Sequence, residues 1–130
     1  MTVDADARGT VLVADDEEIL LRLVGRVLER AGYRVVPAGD GVEARRVLEG
    51  KTPLAVAILD ASLEPAGAAA LFDILDHAPG RPGLIVTGGE APPDAMRQAL
   101  EARGGRFLPK PFAPAQLLEA VEAACDGRAG

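Results

Sequence analysis

Apolar residues along the chain fall into two patterns. Short runs without polar alternation, Val11-Leu12-Val13-Ala14, Leu54-Ala55-Val56-Ala57-Ile58-Leu59, Leu84-Ile85-Val86 and Phe107-Leu108-Pro109, read as strands buried on both faces, the property of a parallel sheet covered by helices. Arg34–Ala38 adds a further strand. Between the runs the period becomes helical: Leu20, Leu23, Val24, Val27, Leu28 and Ala31 share one stripe, which Gly32 ends. Residues 42–49, 68–75, 93–103 and 114–126 continue the series, with Pro93 suited to a first turn and Gly104 to a helix end. The last segment places Leu117, Leu118, Val121, Ala124 and Cys125 on one side, so Cys125 reads as a small core residue. Five strands alternating with five helices predict right-handed crossovers and a three-layer α/β sandwich.

Composition narrows the picture. The 130 residues amount to one domain, enough to bury roughly two thirds of the surface the unfolded chain exposes. Residues 1–9, with Asp4 and Asp6 and no apolar segment, read as a flexible N-terminus, 10–126 as the domain and 127–130 as a short tail. Twenty acidic against 14 basic residues give a net charge of −6, which repels nucleic-acid backbones and argues against direct DNA binding. No apolar stretch approaches membrane-spanning length. A lone cysteine, Cys125, excludes an internal disulfide and suits a reducing compartment. The chain reads as cytoplasmic.

Each uninterrupted run leads into a residue able to handle a phosphoryl group: Asp15-Asp16, then Asp60, Thr87 and Lys110. In open parallel sheets, ligands bind outside the carboxyl ends of the strands. Singly, each residue has a plainer reading: Asp15 with Glu18 as a helix capping pair, Asp60 as a turn aspartate, Thr87 as a strand-end hydroxyl, Lys110 as a solvated lysine beside a turn proline. Four such coincidences at successive strand ends point instead to one active edge. Gly39-Asp40-Gly41 and Thr87-Gly88-Gly89 lack the spacing of a phosphate-cradling fingerprint and read as turns, and His77 reads as an exposed helix-end histidine.

The acidic pair, lone aspartate, threonine and Lys110-Pro111 step resemble the receiver domain of bacterial two-component response regulators, across about residues 10–124. The resemblance implies a flavodoxin-like fold, strand order 2-1-3-4-5, which brings Asp15, Asp16 and Asp60 together at the switch point. Two unit charges about 4 Å apart repel by roughly 4 kcal/mol at an effective dielectric near 20, so three carboxylates need a counter-charge. All-oxygen ligands favour a hard ion, with Mg²⁺ the best fit. By resemblance, Asp60 takes the phosphoryl group from a phosphohistidine of a sensor kinase or phosphotransfer protein. Asp16 ligates the metal directly, Asp15 largely through water, and the backbone carbonyl of Ser62 completes the protein's share. Lys110 pairs with the phosphoryl oxygens, Thr87 hydrogen-bonds one, and Lys110-Pro111 is expected to be cis.

The resemblance also assigns secondary roles. Ser62 and Gly89 occupy positions that tune phosphoryl lifetime, and both being small implies easy access for water. Phe107 couples Thr87 to a partner surface on the fourth helix, fifth strand and fifth helix. Leu21, Arg22 and Gly25, off the buried stripe of the first helix, are candidates for kinase docking. Receivers commonly carry proline four and glycine eight residues after the acceptor, where this chain has Glu64 and Ala68, with Pro65 and Gly67 each displaced by one. The loop after Asp60 is therefore expected to take an unusual path into the third helix.

The leading function is thus a phosphoacceptor signalling domain that assists its own phosphorylation and dephosphorylation without being an enzyme, either alone or as the receiver of a longer protein such as a hybrid kinase. Two alternatives compete. One is a protein-binding module independent of phosphorylation. The other is an aspartate-based phosphohydrolase, which typically places an acid/base aspartate two residues after its nucleophile, where this chain has Ser62.

Overall fold

The computed structural model describes residues 8–129, with side chains as far as Asp126. Five parallel strands, β1 (Thr10–Ala14), β2 (Arg34–Ala38), β3 (Val56–Asp60), β4 (Gly83–Gly88) and β5 (Arg106–Pro109), form one sheet in the order β2-β1-β3-β4-β5. Between and after them run α1 (Glu18–Arg30), α2 (Gly41–Glu49), α3 (Phe72–Leu75), α4 (Asp94–Ala102) and α5 (Pro114–Ala129). The fold is the expected flavodoxin-like sandwich, and β2 matches its predicted bounds.

Strand alternation sorts the core into two layers. Leu12, Ala14, Ala57, Leu59, Leu84 and Val86 pack with Ala44, Leu48, Phe72, Leu75 and Leu100. On the opposite face Val11, Val13, Ile58 and Ile85 meet Val24, Leu28, Leu117, Val121 and Ala124. All five residues of β3 are buried, as a central strand covered on both faces requires. Burying each Val, Ile or Leu side chain among them contributes about 1.5–3 kcal/mol.

Local chemistry sets the element ends. Gly32, at φ 99°, closes α1 while its N–H donates to the Glu29 carbonyl (3.0 Å) and that of Tyr33 to Leu28 (3.0 Å). Asp40 accepts from the Glu43 N–H (2.8 Å) and Glu43 accepts from the Gly39 N–H, a reciprocal cap that starts α2. At the C-terminus of α4, the Arg103 guanidinium lies 5.3 Å from the Phe72 ring centroid and donates to both carboxylate oxygens of Asp76 (3.0 and 2.9 Å), fastening the end of α4 to α3.

Several expectations need correction. Leu23 is 56% exposed, because the buried stripe of α1 centres on Val24 and Leu28 and Leu23 lies past its edge. Leu21, expected off that stripe, is half-buried against the core beside Val24. The third helix opens as a 3-10 turn (Ala68–Leu71) before its single α-helical turn. The loop leading there does take the unusual path expected of it, with Glu64-Pro65 cis, Gly67 at φ 83° and the Gly41 N–H donating to the Glu64 carbonyl (2.6 Å). Of the flexible terminus expected at 1–9, residues 1–7 lie outside the described residues, whereas Arg8 is tied down. Its N–H donates to Gly32 (2.8 Å) and its guanidinium lies 4.8 Å from the Tyr33 ring centroid and 3.4 Å from Glu122. At the other end, α5 continues past Asp126 to Ala129, into the segment expected as a tail. No helix among the described residues is long and apolar enough to cross a membrane.

Candidate functional site

The carboxyl ends of β1, β3, β4 and β5 deliver the predicted residues to one edge of the sheet. Pairing of β1 with β3 sets Ala14 beside Leu59, so the strands release Asp15 and Asp60 side by side. Asp15, Asp16 and Asp60 each offer a carboxylate oxygen within 4.8 Å of the others. Asp15 and Asp60 are only 3% and 4% exposed, while Asp16 faces solvent. Thr87, also buried, is the register partner of Asp60 on β4, and its carbonyl accepts from the Ala61 N–H (2.8 Å).

Lys110 reaches this pocket from the end of β5, held by its backbone N–H donating to the Gly88 carbonyl (2.8 Å), and the Lys110-Pro111 peptide is cis as expected. Its Nζ lies 2.8 Å from Asp15 Oδ2, 3.1 Å from Asp60 Oδ1 and 3.3 Å from Glu17 Oε1. Burial pulls the Lys110 ammonium toward deprotonation, but hydrogen bonds and attraction from Asp15 and Asp60 outweigh it, so its pKa rises and the charge is kept. For Asp15 desolvation dominates over the help from Lys110 and the Glu17 N–H, and its pKa is raised. The pocket thus holds more negative charge than one ammonium offsets, and its donors are all hard oxygens, a set that suits a divalent ion such as Mg²⁺.

The second Asp60 oxygen is also engaged, since the Ser62 hydroxyl donates to Oδ2 (2.8 Å). That contact lies outside the two roles expected of Ser62, a backbone-carbonyl metal ligand and a position tuning phosphoryl lifetime. Asp15 does not cap α1: its Oδ1 accepts from the Glu17 N–H (2.9 Å), two residues on, as in an Asx turn. Gly89 sits in open space, where an added Cβ meets nothing within 4 Å. Phe107 is half-buried, its ring 3.4 Å from where a Cβ on Gly88 would lie. His77 is exposed beyond α3, as expected.

The docking candidates are separated from a second feature. Leu21, Arg22 and Gly25 line a depression facing β2 with Glu29, Val35 and Pro37. Around the helix, Leu20, Leu23, Val24 and Val27 form with Phe112 and Leu117 an apolar groove of about 330 Å³ flanked by Arg26 and Arg30. Ile19, 74% exposed, lies on the same helix. The sequence reading missed this groove by assigning Leu23 to the core.

Fold and site together define an α/β sandwich carrying an acidic, lysine-bridged pocket at its switch point. The chain belongs to the response regulator receiver domain family, whose model matches residues 11–122. It is 35% identical over 104 residues to the probable transcriptional regulatory protein TcrX of Mycobacterium tuberculosis, covering 79% of this chain and 44% of that one. It is 33% identical over 129 residues to the transcriptional regulatory protein PdtaR of the same species, covering 95% and 60%. The chain spans less than half the length of several of the curated relatives it matches. Among solved structures, a CheY-like receiver domain protein from Methanospirillum hungatei aligns with a TM-score of 0.82 at 24% identity, covering 92% and 95%. A response regulator from Burkholderia pseudomallei, with a phosphorylated aspartic acid, calcium ion and citrate, aligns with a TM-score of 0.76 at 27% identity, covering 92% and 71%.

Proposed function

We propose that this domain is a phosphoacceptor that takes a phosphoryl group onto Asp60 from a phosphohistidine of a sensor histidine kinase or phosphotransfer protein and thereby switches its binding to a downstream protein. The observation that carries this reading is the buried Asp60 carboxylate, held by the Lys110 ammonium on one oxygen and the Ser62 hydroxyl on the other, beside two further carboxylates. An Asp60 oxygen attacks phosphorus as the phosphorus–nitrogen bond breaks, and the imidazole leaves with that bonding pair. Lys110 turns to the phosphoryl oxygens, which spread the developing charge. Asp15, Asp16, Asp60 and the Ser62 carbonyl are the residues that would hold Mg²⁺. That ion, when bound, supplies charge neutralisation and orientation.

Thr87, adjacent to Asp60 in the register, hydrogen-bonds a phosphoryl oxygen, and Phe107 follows it to alter the α4-β5-α5 surface. Kinase contact through α1 fits either the Leu21, Arg22, Gly25 face or the groove beside Leu23. The open space at Gly89 supports a short-lived phosphoryl group. The absence of direct DNA binding by this domain accords with a net charge of −6, and a cytoplasmic location with its single cysteine.

A binding module independent of phosphorylation is the competing reading. Incubation with Mg²⁺ and acetyl phosphate, followed by intact mass, separates the two: a labile phosphate adduct is expected on the wild type and not on Asp60→Asn. No adduct on either protein favours the inert module, and sustained turnover of phosphoesters favours a phosphohydrolase.

A further inference from the structure

The side chain of Glu17 does something its place in the helix does not call for. At the N-cap of α1, where Ser, Thr, Asp or Asn usually accepts a backbone N–H, Glu17 makes no side-chain cap. It reaches instead across to Lys110 Nζ, at 3.3 Å. An ammonium has three N–H donors, and Lys110 meets three carboxylates, Asp15, Asp60 and Glu17, so its capacity is filled before any phosphoryl group arrives. Asp15 and Asp60 are buried, whereas the Glu17 side chain is 63% exposed. Glu17 also lines, with Leu20, Pro111 and Phe112, the open cleft that leads to Lys110.

We infer that Glu17 is a positioning and donor-specificity residue: it holds Lys110 back from the incoming group and sets negative charge at the mouth of the cleft, disfavouring small phosphodonors in proportion to their negative charge. The inference rests on Asp60 being the phosphoacceptor. For acetyl phosphate, an oxygen–phosphorus bond forms at Asp60 as the acyl oxygen–phosphorus bond breaks and acetate leaves with the bonding pair. For phosphoramidate, the phosphorus–nitrogen bond breaks and ammonia leaves from the protonated amine. In both, Lys110 must exchange a carboxylate for a phosphoryl oxygen, and Glu17 is the partner that solvent can compensate. A diffusing donor meets the Glu17 charge at every encounter within about one Debye length, 8 Å at 0.15 M ionic strength. A protein-borne phosphohistidine is placed by docking, whose effective concentration outweighs the repulsion.

The test compares wild type, Glu17→Gln and Glu17→Ala, at saturating Mg²⁺ and two ionic strengths, by the rate of adduct formation from acetyl phosphate and from the less anionic phosphoramidate. Both variants are expected to react about two- to fivefold faster with acetyl phosphate at low salt, to gain less with phosphoramidate, and to lose the advantage as salt rises. Rates equal to or below wild type with acetyl phosphate overturn the inference, as does a gain that ignores both salt and donor charge. If the wild type forms no adduct with either donor, the phosphoacceptor reading itself fails; an adduct on the wild type without acceleration in the variants removes only the role of Glu17.

Discussion

Asp60 and Thr87 end adjacent parallel strands as direct register partners, both buried. A group added to Asp60 is therefore expected to meet Thr87 before any other β4 side chain, and one residue further on Gly88 leaves space against the Phe107 ring. Thr87→Ala and Phe107→Ala are expected to retain Asp60 phosphorylation while weakening its effect on α4-β5-α5. Amide hydrogen exchange with acetyl phosphate in excess checks this, and an undiminished change in Phe107→Ala would remove that residue from the switch. Because Phe107 is half-buried, its truncation should cost about 1–3 kcal/mol, below the value for a fully buried Phe.

Lys110→Ala leaves Asp15 and Asp60 facing each other without their ammonium. In chelator, chemical denaturation at neutral pH should show a loss of about 1–3 kcal/mol, less than for a fully buried pair because Lys110 retains some contact with water. The folded-state pKa of Lys110 is raised from 10.5, so its stabilisation is complete below that pH and fades as pH rises above it. The gap between wild type and variant should shrink accordingly in alkaline buffer.

Asp15 carries the opposite liability. Its pKa is raised from 3.8, so the ionised carboxylate is disfavoured by the fold, and stability present below that pH is lost as pH rises through the folded pKa. Asp15→Asn should raise the denaturation midpoint in chelator at neutral pH and reduce the gain on adding Mg²⁺. For the wild type that gain should reach about 2.7 kcal/mol at Mg²⁺ a hundredfold above its dissociation constant. A midpoint unmoved by Mg²⁺ up to tens of millimolar contradicts the metal assignment.

Gly89 offers a direct handle on phosphoryl lifetime. A larger side chain there, as in Gly89→Leu, should hinder water and lengthen the half-life of the adduct by up to about tenfold, equivalent to about 1.4 kcal/mol in the barrier. Decay of the intact-mass adduct after donor removal measures it; a wild-type half-life of many hours contradicts the open-access reading.

The strands were legible because uninterrupted apolar runs are a strong signal, and four of the five central site residues stand immediately after or within those runs. Strand order came from family resemblance, since period alone carries no neighbour information. Leu23 was misplaced because a helical stripe read from sequence has no absolute orientation: the tertiary packing of α1 centres on Val24 and Leu28. The 3-10 turn at Ala68–Leu71 escaped because Ala68-Ala69-Ala70 carries little periodic signal. The contacts of Glu17 with Lys110 and of Ser62 with Asp60 depend on how strand ends and loops meet in space, which spacing along the chain does not encode.

Arg103 joins the far end of α4 to α3 through Asp76 and Phe72. With that end pinned, a displacement beginning at Thr87 would be taken up where the chain leaves β4, and α4 is expected to pivot about its own C-terminus. Cutting this tether, as in Arg103→Ala, is expected to turn that swing into a drift of the whole helix and to blur the signal it carries.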